Sequence, residues 1–207
     1  MAATSGDGPA TPALLDGDDN EESSSLYIQT TSNNYVSRKA IIDGAKQVEL
    51  KGRSILVDGV HIRGDLAPVR IGRYCWVDSN TLIQPPPQMG EHGENTSTNT
   101  NLYVPVSLGS HTSIGKDCVL EAAAVGSLCW IADNVKLSAR SIVKDCCVVV
   151  EHTVIPADAV IPPFTFVSVS NSGRLVTTPL PPAVSVELQE RAMEVFQDFA
   201  ASQRKKR

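Results

Sequence analysis

From Val125 onward the chain repeats every six residues: Val125, Ile131, Leu137, Val143, Val149, Ile155, Ile161 and Val167 are all β-branched or leucine. Four residues after each of the first seven stand Cys129, Val135, Ser141, Cys147, Thr153, Ala159 and Thr165, all small apart from one valine. A fixed period constrains architecture before any single element is assigned. An α-helix repeats near 3.6 and a simple strand at 2, so neither produces a strict six. Within one six, the aliphatic residue and the residue two before it share a strand face, and a bend then restores the phase. Three such faces make one triangular coil, and successive coils stack roughly 4.8 Å apart. A prism that narrow holds one large aliphatic per face with a small neighbour beside it. The aromatic content of 5% agrees, because rings do not fit inside.

The rhythm extends upstream. Leu108, Ile114 and Leu120 keep the step, with Thr112, Cys118 and Ala124 as small partners, and a step of five joins Leu120 to Val125. Ile71, Val77 and Ile83 repeat it with Cys75 and Thr81. Ile42, Val48, Val60 and Leu66 fit less well, with Ser54 interrupting them. The expected architecture is an all-β solenoid in two blocks over roughly 36–170, within a domain spanning 26–170.

The flanking segments differ in composition. Residues 1–25 carry Asp7, Asp16, Asp18, Asp19, Glu21 and Glu22 and no lysine or arginine, so most of the net charge of −5 is local. The remainder, 18 basic against 17 acidic residues, is near +1 and favours neither nucleic acid nor an anionic membrane as partner. With few large apolar side chains, 1–25 is expected to be disordered. It resembles neither a transit peptide nor a signal peptide, and no run of apolar residues is long enough to cross a membrane, so a cytoplasmic protein is expected. Residues 84–105 break the period with Pro85, Pro86 and Pro87 followed by a polar run, which reads as an inserted loop leaving the body. The favoured reading is a flexible excursion, with a partner-binding loop as the alternative. Residues 171–182 read as a linker. Residues 183–202 read as a helix whose apolar face includes Leu188, Val195, Phe196 and Phe199. That face packs on the solenoid or meets a partner, and these four are the candidate partner contacts. The basic tail 203–207 suits the helix dipole, with a nuclear signal as the sharper reading.

Cysteine and histidine placement bears on chemistry. Cys75, Cys118, Cys129 and Cys147 fall at the fourth offset and are expected to point inward, whereas Cys146 alone is expected to point out. Registry explains this without a disulfide framework or zinc site, although Cys129 and Cys147 should stack in adjacent coils within disulfide reach. Short-coil solenoids also host acyltransferases and carbonic anhydrases, which need histidine as base or ligand. Of the four histidines, His92 lies in the insertion, His61 precedes Ile62-Arg63-Gly64-Asp65, and His111 and His152 are expected to face solvent.

The strings HIRGDLAPVRIGR (His61 to Arg73) and VDSNTLIQ (Val77 to Gln84) resemble the gamma-class carbonic anhydrases and their relatives. That resemblance would place three zinc ligands at Gln84, Lys116 and Glu121, none of which is histidine. A protonated lysine has no lone pair to donate, so no metal, cofactor or catalytic residue is expected. SLYIQTTSNNYVSR (Ser25 to Arg38), IRGDLAPVRIGR with IQPP (Ile83 to Pro86), KDCCVVVEHTVIP (Lys144 to Pro156) and VIPPFTF (Val160 to Phe166) together resemble the dynactin subunit 5 family. This second resemblance implies a left-handed parallel β-helix of the hexapeptide-repeat kind with a C-terminal α-helix. It further implies a non-catalytic scaffold at the pointed end of dynactin, cytoplasmic and cytoskeleton-associated. The implied partners are a second β-helical subunit, the pointed-end actin-related protein, other dynactin subunits and cargo adaptors. An enzyme of the carbonic anhydrase or acyltransferase kind is the alternative.

Overall fold

The computed structural model describes residues 26–88, 102–170 and 173–205. The expectations placed on 1–25, on most of the 84–105 insertion and on the end of the basic tail lie outside those residues. Within them the chain winds as a three-sided parallel β-solenoid and ends in one helix, α1 (Val184–Lys205). Sheet A has nine strands, and sheets B and C have six each.

The six-residue pattern produces this winding. In sheet A, Leu56, Val77, Ile114, Ile131, Val149 and Val167 lie in register, one per coil. Ile62, Ile83, Leu120, Leu137 and Ile155 do the same in sheet B, and Ile71, Leu108, Val125, Val143 and Ile161 in sheet C. All of these side chains are at most 6% exposed. The eight aliphatics from Val125 to Val167 therefore form part of the three interior walls.

The first block differs from its expected register by two residues. Ser54 does not interrupt it; Ser54 and Val60 are themselves buried small partners, four residues after Leu50 and Leu56. The phase shifts because two connections are longer than six. A 3₁₀ turn at Ala45–Gln47 fills the step from Ile42 to Leu50, and a loop at 64–68 fills the step from Ile62 to Ile71. Val48 and Leu66, given as interior residues by strict counting, are only partly buried.

Several fourth-offset residues bond one coil to the next, although Val60, Val135 and Ala159 carry no donor and the hydroxyls of Ser141 and Thr153 have no partner among the described residues. Ser54 Oγ donates to Gly72 O at 2.9 Å and Thr112 Oγ1 to Gly126 O at 2.8 Å. Cysteines fill equivalent places: Cys75 Sγ donates to Gly109 O at 3.0 Å, and Cys129 and Cys147 to Lys144 O and Pro162 O at 3.1 Å each. A thiol is a weak donor but a good small hydrophobe, so both halves of the role are met. Burial pushes the Cys75 thiol up to about 11. The neighbouring Cys147 thiol together with burial holds Cys129 above the ordinary range.

Bends at the third offset use the left-handed backbone region. Between sheets A and B the corner residues are Gly59, Asn80, Asp117, Asn134 and His152, types that enter this region readily or are enriched there. Between sheets C and A they are Arg53, Tyr74, His111, Leu128, Cys146 and Phe164, each at positive φ despite a bulky side chain. Cys146 is here a correction: it is 4% exposed rather than outward and open. Its corner stands between those of Leu128 and Phe164, linked by Cys146 N–H to Ser127 O at 2.9 Å and Phe164 N–H to Asp145 O at 3.0 Å.

Both ends of sheet A are closed by reversed strands. Tyr27–Gln29 lies antiparallel on Tyr35–Ser37, and Leu175–Pro179 lies antiparallel on Thr165–Val169. The second falls within 171–182, read from the sequence as a linker. Two outcomes follow. Replacing Leu137 by Asp places an unpaired charge in the interior and should cost upwards of about 4 kcal/mol in urea unfolding, whereas Leu137→Met should cost under about 1.5 kcal/mol; comparable midpoints for both variants would contradict the interior assignment. Iodoacetamide should leave all five cysteines essentially unlabelled in the native protein at mildly alkaline pH and label all five in urea. Rapid native labelling of Cys146 would restore its outward placement.

Candidate interaction surfaces

The outer residues of sheet A, at the fifth offset, include Ile55, Trp76, Trp130, Val148 and Phe166, an apolar column that needs a cover. Helix α1 supplies it. Near its start Leu188 and Arg191 stand over Trp130, Val148 and Phe166, with the Arg191 guanidinium carbon 3.6 Å from the Trp130 ring centroid. Toward its end Phe196 meets Tyr35 at 6.0 Å and Tyr74 at 5.6 Å, and Phe199 meets Tyr27 at 4.9 Å, Tyr35 at 5.4 Å and Trp76 at 5.7 Å between centroids. Edge-on arrangements dominate, as ring quadrupoles favour. The helix thus runs back along the solenoid from its last coils to its first. Of the four candidate partner contacts, Leu188 is 8% exposed and Phe196 and Phe199 are occupied by the chain's own aromatics, while Val195 is half-buried. Of the two readings of this face, packing on the solenoid is the one seen: the apolar side chains are used internally, and among the described residues the fifth-offset column of sheet A has no other cover.

Sheets B and C are not crossed by the helix. The outer column of sheet B reads Ile41, His61, Leu82, Val119, Lys136 and Val154, and that of sheet C reads Glu49, Arg70, Ser107, Ala124, Ile142 and Val160. Unlike sheet A, both finish on parallel edge strands, Val154–Ile155 and Val160–Ile161, with no reversed strand beside them among the described residues. Val154 and Val160 are 54% and 57% exposed there. An uncapped edge with apolar side chains next to it is a template for a partner.

The base of the insertion is fastened to the body. Pro85 and Pro86 are buried, Gln88 N–H donates to Leu102 O, and Val104 N–H donates to Pro86 O, both at 2.8 Å. Arg140 grips Asp158 through two N–H groups at 2.7 and 2.6 Å and donates a third to Pro87 O at 3.1 Å. The fork holds the Asp158 carboxyl below its ordinary range.

Gln84, Lys116 and Glu121, where the carbonic anhydrase resemblance would place zinc ligands, lie at two corners flanking sheet B. Gln84 and Glu121 occupy one corner on adjacent coils, linked by Gln84 N–H to Leu120 O at 2.9 Å, and Glu121 has Lys136 Nζ at 3.9 Å. Lys116 stands at the other corner, exposed, with its backbone N–H donating to Asp133 Oδ1 at 2.9 Å. An amide, an ammonium and a carboxylate already near a lysine make a poor donor set for Zn²⁺. Among the described residues no group of three or more His, Cys, Asp or Glu side chains is arranged to hold a metal ion. His61 Nε2 pairs with Asp43 Oδ2 at 2.7 Å on the outer face of sheet B, in a cluster with Arg63 and Asp65. His152 is exposed as expected, but His111 is half-buried and stacked on Tyr74 at 5.0 Å, and burial lowers its pKa. The Arg140 clamp has no signal in the sequence; which side of the solenoid the helix covers does have one, two tryptophans at one offset.

A family model described as dynactin subunit 5 matches residues 19–205. A dynactin subunit 5 of Dictyostelium discoideum is 37% identical over 103 residues, 50% of this chain and 48% of that protein. The bifunctional protein GlmU of Geotalea uraniireducens is 27% identical over 105 residues, 51% of this chain and 22% of that protein. The chain therefore aligns with about half of the first of these relatives and a smaller share of the second. A solved hexapeptide transferase family protein from Anaplasma phagocytophilum superposes with a TM-score of 0.57 at 14% identity, covering 83% of this chain and 91% of that one. At that identity the likeness speaks for the fold alone. Among the described residues no helix is long and apolar enough to cross a membrane.

The depressed His111 pKa has a consequence with a definite sign. As pH falls through the ordinary histidine range near 6.5, the unfolded chain takes up this proton before the folded one, so stability falls and then levels off below the folded value. The loss of Tm between about pH 7.5 and pH 5.5 should be smaller in His111→Gln than in the wild type. An equal loss in both would remove His111 as the cause.

Proposed function

The chain belongs to the dynactin subunit 5 family, and we propose that it acts as a non-catalytic scaffold subunit of the dynactin pointed-end complex. In that role it supports dynein-driven transport and the recruitment of cargo such as endosomes, as a cytoplasmic, cytoskeleton-associated protein. The observation that carries this reading is the family match, whose span of residues 19–205 takes in the solenoid and α1. The surfaces support it. One face is closed by the chain's own helix, while sheets B and C and their last edges stay open to other subunits. The expected neighbours are a second β-helical subunit and the pointed-end actin-related protein, with other dynactin subunits and cargo adaptors around them. Catalysis receives no support from the residues at the aligned zinc positions, since Gln84 and Lys116 are not ligands of the kind zinc enzymes use.

Affinity purification of the tagged full-length chain from native extract tests this directly. The expected result is co-elution with a second β-helical chain, an actin-related protein and further dynactin subunits, without stoichiometric zinc. A homotrimer carrying one zinc per chain with CO₂ hydration activity, or with acyl-CoA at the subunit boundary, would overturn it.

A further inference from the structure

The first coil carries a basic cleft that the proposed role does not use. Ser32, Asn33, Lys51, Gly52, Arg53 and Arg73 line a recess of about 330 Å³ where the first turn meets the corner between sheets C and A. Its lining holds three cations and no acid. All three are exposed, and among the described residues none of them takes part in an ion pair, although Lys39, Arg63, Arg70, Lys136 and Arg140 each do. The cleft is shaped by the backbone. Arg53 N–H donates to Ser32 O at 3.1 Å, and Tyr74 N–H donates to Gly52 O at 3.2 Å. A Cβ at Gly52, which has φ of 129°, would stand 2.9 Å from Ser32 O. Arg53 is further held by its bond to the Tyr74 hydroxyl, and its guanidinium carbon lies 5.3 Å from the Tyr74 ring centroid. Tyr74 is fixed in turn by His111 and Phe196. A fixed guanidinium loses less side-chain freedom on binding than a free one.

An anionic occupant is supplied by the chain itself. Asp7, Asp16, Asp18, Asp19, Glu21 and Glu22 precede the first strand with no basic residue among them. That strand, Tyr27–Gln29, belongs to the same coil end as the cleft, and its Leu26 side is marked by Arg38 N–H donating to Leu26 O at 3.0 Å. The strand and turn from Leu26 to Ser32 separate the two points by no more than roughly 20 Å at strand rise. The residues from Asp16 to Leu26 reach about 35 Å when extended. Reach and charge sign therefore both fit.

We propose that the acidic segment 7–22 docks in the cleft formed by Lys51, Arg53 and Arg73. Each exposed pair contributes little. Tethering gives the segment a high local concentration and lets several pairs act together. Salt weakens the contact, because Lys51, Arg53 and Arg73 are exposed.

Zero-length carbodiimide cross-linking of the full-length protein, read by mass spectrometry, tests the docking. Lys39 is the internal control, since it adjoins the Leu26 exit and would collect links from an undocked segment by proximity alone. The expected result is that Lys51 carries at least about five times as many links to Asp16–Glu22 as Lys39 does, a local-concentration effect. The double variant Arg53→Glu/Arg73→Glu should abolish that preference. Wild type in about 0.5 M salt should lose it too, which keeps the test decisive if the variant folds poorly. A preference for Lys39, or a Lys51 preference indifferent to both changes, would overturn the proposal. So would Lys51 links found chiefly between isotopically light and heavy chains in a mixture, since the occupant would then be a second copy.

Discussion

The structure depends on coil-to-coil registry. A side chain at one of the interior positions touches its counterparts above and below, roughly 4.8 Å away, so every coil must return to phase before the next begins. The requirement is met by bends in the left-handed region, which for an ordinary side chain costs about 1–2 kcal/mol per residue. At the corner between sheets A and B that cost is kept low by Gly59, Asn80, Asp117 and Asn134. At the corner between sheets C and A it is borne by bulky residues, and there packing offsets it: Tyr74 is stacked on His111 and set edge-on to Phe196. The corner with the costlier bends is also the one beside the helix.

Registry explains as well why cysteine is used freely in the interior. At the corner between sheets C and A the fourth-offset site takes a side chain small enough for a narrow prism, and in most coils one that donates to a carbonyl one coil away. Serine, threonine and cysteine all satisfy this, and the three alternate along one corner as Ser54, Cys75, Thr112, Cys129, Cys147 and Thr165. Spacings of this kind invite readings as metal or redox motifs. Here they follow from the geometry of the bend.

How much was legible from the sequence follows the same logic. From Leu108 to Val167 only one step departs from six, and counting places every wall residue correctly. Between Ile42 and Ile71 the steps of eight and nine hide the phase, so Ser54 looked like an interruption although it is a regular member. Counting alone assigns inward and outward faces but not what lies outside; Cys146 was therefore given to solvent although a corner column encloses it. The helix face was visible, yet its destination required knowing that Trp76, Trp130, Val148 and Phe166 align on one outer surface. The reversed strand Leu175–Pro179 was harder to read, since it carries no alternation and the turn signal before it, Ser172-Gly173, suits a linker equally well. The basic cleft was equally hidden, because Lys51, Arg53 and Arg73 meet only when two coils are stacked.

Solenoids without long-range ties tend to come apart one repeat at a time, since each repeat contacts only its neighbours. Helix α1 alters that arithmetic. At 22 residues it is about 33 Å long, close to the stacked height of sheet A, and its two ends rest on opposite termini of the stack. Fraying of the outermost turn at either pole must then strip aromatic rings from the strap, so the barrel should melt as a single cooperative unit and bear axial tension as a braced strut.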